Sequence, residues 1–72
     1  MDERQQITYM QIRIVRMASE NWHRSLAEVT LLFDRYSVLE YIEDNFGLLH
    51  LEGDEAIFED VCGYLRNKGV TI

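Results

Sequence analysis

Proline is absent from this sequence of 72 residues, and cysteine occurs once. Without proline the chain can form helices that run uninterrupted, which favours an all-α fold. The single Cys62 cannot form an internal disulfide and supplies too few thiolates for a cysteine-based zinc site, so we expect a reducing, cytoplasmic environment. Phosphate-binding loops, G-x-S-x-G and zinc-binding spacings are also missing. These absences predict a protein that is not an enzyme and has neither a cofactor nor a metal.

Long apolar runs are missing as well, since none approaches the roughly 18 residues of a membrane span. The chain opens with Asp2, Glu3 and Arg4 and lacks the basic start of a signal peptide, so we expect no targeting segment and no membrane association. Apolar residues make up 47% of the chain. That share predicts one folded domain with one small core, because chains this short do not divide into two.

Negative charge is concentrated in one half of the chain. Residues 1–36 hold equal numbers of arginines and acids, whereas residues 37–72 hold Arg66 and Lys68 among many acids and account for the whole net charge of −6. An acidic half repels nucleic acid and anionic lipid and attracts basic partners. Acidic surfaces also raise solubility without any partner, and this alternative stays open.

The first predicted helix spans residues 5–22. Its apolar residues recur at helical spacing, and Ile12 and Val15 widen the apolar arc to more than half of the helix circumference. Helix 1 is therefore either the central helix of the domain or a helix whose second side is buried by another chain. The residues that form the narrower stripe are Ile7, Met10, Ile14, Met17 and Ala18.

Two capping signatures divide the middle of the chain. Ser25 with Glu28 predicts a capping box that starts a helix over residues 26–36, and Ser37 with Glu40 predicts a second one that starts a helix over residues 38–46. Gly47 stands where glycine commonly ends a helix in the left-handed conformation.

The last predicted helix spans residues 54–68, with Asp54 as its cap and Gly69 at its end, where Val70 can fold back on the last turn. Residues 48–51 are predicted as a loop. The alternative is a short strand that pairs with residues 70–72 around the last helix. The prediction is a compact all-α single domain of four helices.

Three sets of residues were candidates for chemistry, and each has a simpler interpretation. His50 between two leucines could titrate in a pocket, but a ring hydrogen donated to a backbone carbonyl is the favoured interpretation. Cys62 has no base at helical spacing, which predicts an inert thiol. The carboxylates on helices 3 and 4 lack the histidines that a di-metal bundle needs, which predicts solvated faces.

Helices 2 and 3 resemble a helix-turn-helix in their spacing, which makes a DNA-binding regulator the alternative function. The second of these helices would present Glu40, Glu43 and Asp44 to DNA, whereas base and phosphate contacts mainly use basic or amide side chains. Direct DNA binding would need a dimer or a basic partner to supply the phosphate contacts.

The region from Leu26 to Gly69 resembles a family of small bacterial helical proteins of unknown function. The shared features are a Phe-x-x-Tyr, a Tyr-Ile pair, a Leu-His before a glycine and an Asp-x-x-x-Tyr in the last helix. Ser37 departs from the pattern, which has glycine there, and Leu51 stands in place of a threonine. The residues that carry the resemblance are Phe33, Tyr36, Val38, Tyr41, Ile42, Phe46, Leu49, His50, Gly53, Asp60, Val61, Tyr64, Leu65 and Gly69.

The resemblance implies a gene context, because such proteins are often encoded beside toxin-like proteins that resemble ADP-ribosyltransferases. It implies an antitoxin-like or accessory partner and no catalytic residue. The positions carried over, as interaction or structural residues without an assigned role, are Leu49, His50, Gly53, Asp60 and Tyr64.

The sequence thus predicts a module that binds other proteins. A core of this size supplies only about 3 to 5 kcal/mol, and the wide apolar arc of helix 1 exceeds what one side of a helix needs. Both features favour a homodimer that forms through Tyr9, Ile12 and Val15.

Overall fold

Five helices form the computed structural model, which describes residues 2–72. They are α1 (Glu3–Trp22), α2 (Leu26–Arg35), α3 (Val38–Asp44), α4 (Phe46–Leu49) and α5 (Asp54–Asn67). The all-α prediction is confirmed, and no strand occurs within residues 2–72. The alternative pairing of residues 48–51 with 70–72 is wrong, because Leu48 and Leu49 belong to α4 and residues 70–72 have no regular structure.

The long helix α1 has a side-chain cap at its start and a left-handed residue at its end. The Asp2 carboxylate accepts a hydrogen bond from the Gln5 amide at 2.8 Å. At the other end His23 adopts a φ of 54°, and the Arg24 amide donates to the Ser19 carbonyl at 3.1 Å. The Ser19 carbonyl also accepts from the His23 amide, so the amides of two successive residues after the helix converge on it.

The start of α2 confirms the first capping box. The Glu28 amide donates to the Ser25 hydroxyl at 3.1 Å, and the Ser25 amide donates to the Glu28 carboxylate at 3.3 Å. Two amides that the helix leaves unpaired are thereby satisfied, which fixes the start of α2 at Leu26.

The second capping box, predicted at Ser37 and Glu40, is wrong. Ser37 adopts a φ of 57° in the left-handed region, and its side chain makes no capping hydrogen bond. The chain turns between α2 and α3 through this one left-handed residue. Glycine adopts that conformation without steric conflict, whereas serine does not.

The prediction of one helix over residues 38–46 is also wrong. Helix α3 ends at Asp44, and the short helix α4 begins at Phe46 after a break at Asn45. Gly47, predicted to end the third helix in a left-handed conformation, lies inside α4 and has no positive φ. Residues 48–51, predicted as a loop, begin as the second half of α4.

Helix α5 starts without a side-chain cap. Gly53 is the cap residue, and Asp54, predicted to cap the helix, is its first helical residue. The Asp54 carboxylate instead accepts a hydrogen bond from Arg13, with Nε and Oδ2 3.1 Å apart. This ion pair links the start of α5 to α1. An acidic residue in the first turn also matches the positive end of the helix dipole.

The end of α5 confirms the predicted role of Gly69. Its φ is 88°, its amide donates to the Arg66 carbonyl at 2.9 Å, and the Val70 amide donates to the Leu65 carbonyl at 3.0 Å. These two bonds form a Schellman motif. Val70 packs against the core, as the predicted fold-back requires.

The core is built on α1, which contacts α2, α3 and α5. Helix α1 is therefore the central helix of the monomer, which uses most of its wide apolar arc and leaves Ile12 exposed. No polar or charged side chain is buried in the part of the chain that the structure describes, and none of these helices is long and apolar enough to cross a membrane. The buried residues are Ile7, Met10, Ile14, Ala18, Val29, Phe33, Val38, Ile42, Phe46, Leu49, Ile57, Phe58, Val61, Cys62 and Leu65.

Replacing Ser37 by glycine tests the turn between α2 and α3. We expect Ser37→Gly to raise the free energy of unfolding by up to about 1 kcal/mol, because it removes the steric conflict of a left-handed non-glycine residue. Urea unfolding followed by circular dichroism measures the change. Ser25→Gly is the matched control, since Ser25 has an extended backbone and a functioning cap, and this change should lower stability by a few tenths of a kcal/mol. Destabilisation by Ser37→Gly would contradict the geometry.

Candidate functional site

The structure places Ile12 and Val15 together on one groove. The groove has a volume of about 330 Å³ and lies between α1, α2 and the start of α3. Ile12 is 43% exposed, whereas Val15 is half-buried and packs against the core. Leu26 on α2, 52% exposed, also lines the groove, and helical spacing alone did not mark it as a candidate interaction residue. The other lining residues are Thr8, Gln11, Arg16, Thr30 and Leu39.

Tyr9 lies on a different groove, together with His50. This groove has a volume of about 310 Å³ and is formed by α1, α4 and the start of α5. The structure therefore does not bring Tyr9 together with Ile12 and Val15, although all three lie on α1. The residues around Tyr9 and His50 are Gln6, Met10, Arg13, Phe46, Glu52 and Ile57.

The His50 ring is held by Phe46. Its Nδ1 lies 2.9 Å from the Phe46 carbonyl oxygen, and the two rings stack with centroids 5.2 Å apart. Because a carbonyl only accepts, Nδ1 carries the hydrogen in this bond. The favoured interpretation of His50 as a donor to a backbone carbonyl is confirmed. Leu49 is 3% exposed and belongs to the core, so it cannot contact a partner.

Tyr64 joins α5 to the junction of α2 and α3. Its hydroxyl donates to the Tyr36 carbonyl at 2.7 Å, and its ring stacks on Tyr41 with centroids 4.3 Å apart. The Lys68 ammonium lies 5.3 Å from the Tyr64 ring centroid, within cation–π distance. The contacts of Tyr64 are thus those of a structural residue.

Asp60 lies in an acidic pair that sequence reasoning missed. A hydrogen bond that the protonated Glu52 carboxyl donates to Asp60, some loss of hydration and the repulsion of the Asp60 charge raise the pKa of the Glu52 carboxyl. Burial, followed by the charges of Asp60 and Glu52, raises the pKa of the Tyr41 hydroxyl. The two acids are eight positions apart and meet across the turn before α5, so local spacing did not point to the pair.

Leu48 and Leu51 are also missed residues, and they are the large apolar side chains with the highest exposure in the described chain. They are 72% and 76% exposed, whereas Leu49 between them is buried. The Leu51 amide donates to the Leu48 carbonyl at 3.2 Å, which closes a turn around these residues. The apolar run of residues 48–51 was visible in the sequence, but its pattern alone does not separate the buried leucine from the exposed ones.

Cys62 is buried in α5, and no histidine is among the groups that shift the pKa of its thiol. Burial raises the pKa of its thiol, the charge of Glu59 adds to this shift, and Arg66 acts against it. A thiol in this state is mostly protonated at neutral pH and is a poor nucleophile. Within residues 2–72, no group of three or more histidine, cysteine or acidic side chains is arranged to hold a metal ion.

The acidic pair predicts a pH-dependent effect of Glu52→Gln. A raised pKa means that the folded state binds the proton more tightly, so the contribution of Glu52 to stability is present below its unfolded pKa and is lost as the pH rises through the folded pKa. We therefore expect Glu52→Gln to be more stable than wild type at about pH 7, with a smaller difference at about pH 4. Urea unfolding of both proteins at the two pH values measures the difference in their free energy of unfolding.

Glu20→Gln is the control for this change. It removes one exposed acid of α1 and so makes the net charge less negative by the same amount as Glu52→Gln. An equal pH dependence in both variants would assign the effect to net charge and not to the pair of Glu52 with Asp60.

Comparison with known proteins relates the chain to an uncharacterised family. The family described as "Protein of unknown function (DUF3791)" matches residues 9–68. No curated protein and no solved structure matches the chain. The matched segment takes in the residues that carry the resemblance from Phe33 to Leu65. Because the match covers most of the sequence, the protein belongs to the DUF3791 family, whose members are described as proteins of unknown function.

Proposed function

We propose that this protein is a non-enzymatic module that binds other proteins and forms a homodimer through the groove of Ile12, Val15 and Leu26. The observation that carries the proposal is the exposure of Ile12 and Leu26 at 43% and 52% on one groove of about 330 Å³. Grouped exposed apolar side chains are typical of interaction sites, whereas scattered ones are common on any surface. Tyr9, the third predicted residue of this interface, lies on the groove that contains His50, so the proposed interface does not include it.

The distribution of charge supports self-association on this side of the molecule. Helices α1 and α2 belong to the half of the sequence whose charges sum to zero, whereas residues 37–72 carry the net charge of −6. A two-fold interface on α1 and α2 therefore brings together two neutral regions and keeps the acidic regions of both copies apart. Arg16 is the one charged residue that lines the groove.

The state of Cys62 supports a role other than catalysis. Its thiol is buried with a raised pKa. A cysteine nucleophile needs a lowered pKa or an adjacent base to form the thiolate, and the shift of the Cys62 pKa has the opposite direction. Protein binding is also favoured over DNA binding, since α3 carries Glu40, Glu43 and Asp44 where a recognition helix needs basic or amide side chains.

The finer proposal concerns the partner. The resemblance to small bacterial proteins supports a role as an antitoxin-like or accessory partner of a toxin-like protein encoded nearby. The single cysteine supports a place in the reducing cytoplasm. The acidic half of the chain supports a partner that is itself basic on its contact surface.

Charge substitutions on the groove test the homodimer. We expect wild type to elute as a dimer in chromatography with light scattering, and Ile12→Glu combined with Leu26→Glu to elute as a monomer with unchanged helix content. Leu31→Glu is the matched control, because Leu31 is 71% exposed on α2 and does not line the groove. Val15 is unsuitable as a test residue, since it packs against the core. A monomeric wild type at all concentrations would rule out the homodimer.

Recovery of the tagged protein from its native host tests the partner. At moderate salt we expect a toxin-like protein encoded nearby to co-purify in stoichiometric amount, because a dedicated partner remains bound under these conditions. Mass spectrometry of the eluate identifies it. Recovery of the protein without this partner would count against the antitoxin-like role and leave the homodimer to be tested separately.

A further inference from the structure

We propose that the surface formed by Leu48, Leu51, Glu52 and Asp60, here named the α4 surface, binds a cationic amphipathic segment of another protein. The inference deepens the proposed function and rests on it, since it names the chemistry of the partner of a protein-binding module. It concerns a different side of the molecule from the Ile12 groove, because it uses the turn between α4 and α5.

The apolar part of the α4 surface is ordered and exposed. Leu48 and Leu51 are 72% and 76% exposed. The turn that carries them is closed by bonds from the Leu51 amide to the Leu48 carbonyl at 3.2 Å and from the Glu52 amide to the Leu49 carbonyl at 2.9 Å. Two leucines three positions apart on such a turn lie side by side. Because these bonds hold the backbone of the turn, a partner that covers the pair has to immobilise only the two side chains.

The charged part of the α4 surface has no ion pair with a cation of residues 2–72, because Arg13, which lines the same groove as Glu52, is paired with Asp54. Glu52 and Asp60 interact with each other, and neither forms an ion pair with a lysine or arginine of the described residues. The arginines of α1 neutralise other acids, since Arg4 pairs with Glu43 and Arg13 pairs with Asp54. A lysine or arginine from a partner would relieve the repulsion between the two carboxyl groups and gain an ion pair at the edge of an apolar contact.

The same charges disfavour the other possible occupants. Nucleic acid and anionic membranes are repelled by the acidic pair and by the net charge of the surrounding half of the chain. A second copy of this protein would bring two like-charged surfaces together. An uncharged apolar partner would leave the acids unpaired at the interface. A segment that carries lysine or arginine beside apolar side chains satisfies both parts of the surface.

A synthetic helix of leucine and lysine at amphipathic spacing serves as the probe, with a fluorescent label and anisotropy as the readout. The reference peptide has glutamate in place of every lysine. We expect the lysine peptide to bind wild type and the reference peptide not to bind. Binding should weaken by about tenfold in Leu48→Ser with Leu51→Ser, and by a similar factor in Glu52→Gln with Asp60→Asn.

Matched controls separate the α4 surface from bulk charge and general stickiness. Leu31→Ser removes an equally exposed leucine on α2, and Glu3→Gln with Glu20→Gln removes two exposed acids of α1, the same change in net charge. Both controls should alter the affinity by less than about threefold. Equal weakening in controls and α4 variants, or no binding of the lysine peptide by wild type, would overturn the inference.

The double variant of the Ile12 groove distinguishes failure of this inference from failure of the homodimer. The lysine peptide should bind Ile12→Glu with Leu26→Glu as tightly as wild type, because the Ile12 groove and the α4 surface share no residue. A dimeric wild type without peptide binding would reject the α4 surface alone. Peptide binding by a monomeric wild type would reject the homodimer alone and support the α4 surface.

Discussion

The buried side of α1 is the surface on which the other long helices meet. Ile7, Met10, Ile14 and Ala18 are at most 6% exposed, and α2, α3 and α5 all contact this helix. A chain of this size has one core and little stability in reserve, so every other helix must bury its apolar face against α1 or against a neighbour that does. Most of the wide apolar arc of α1 is buried within the monomer. The part at Ile12 stays exposed and is available to a second protein.

The residues that carry the family resemblance mainly hold the fold together. Tyr64 donates to the Tyr36 carbonyl and stacks on Tyr41, which links α5 to the junction of α2 and α3. At the end of α4, the Phe46 carbonyl accepts from the His50 ring and the two rings stack. Such a pattern identifies the fold but does not locate the surface that acts on a partner. The α4 surface and the Ile12 groove lie largely outside it.

Much of the fold could be predicted from local sequence, because caps, helical spacing and absent proline act over a few residues. The structure of the middle of the chain could not be predicted in this way. Ser37 looks like a cap but takes the left-handed conformation, which depends on how α3 packs, and Gly47 looks like a helix end but lies within α4. The exposed Leu48 and the pair of Glu52 with Asp60 escaped prediction for a related reason, since exposure and contact across a turn are tertiary properties.

The described chain buries no polar or charged side chain, and this has an evolutionary consequence. A core without buried hydrogen-bond networks tolerates exchanges among leucine, isoleucine, valine and methionine as long as the total volume is kept. Relatives can therefore diverge in the core while the helices keep their places. The exposed turn of Leu48 and Leu51 contributes little to that core, so its side chains can change without unfolding the domain. One scaffold can in this way acquire new partners by substitution at a few surface positions.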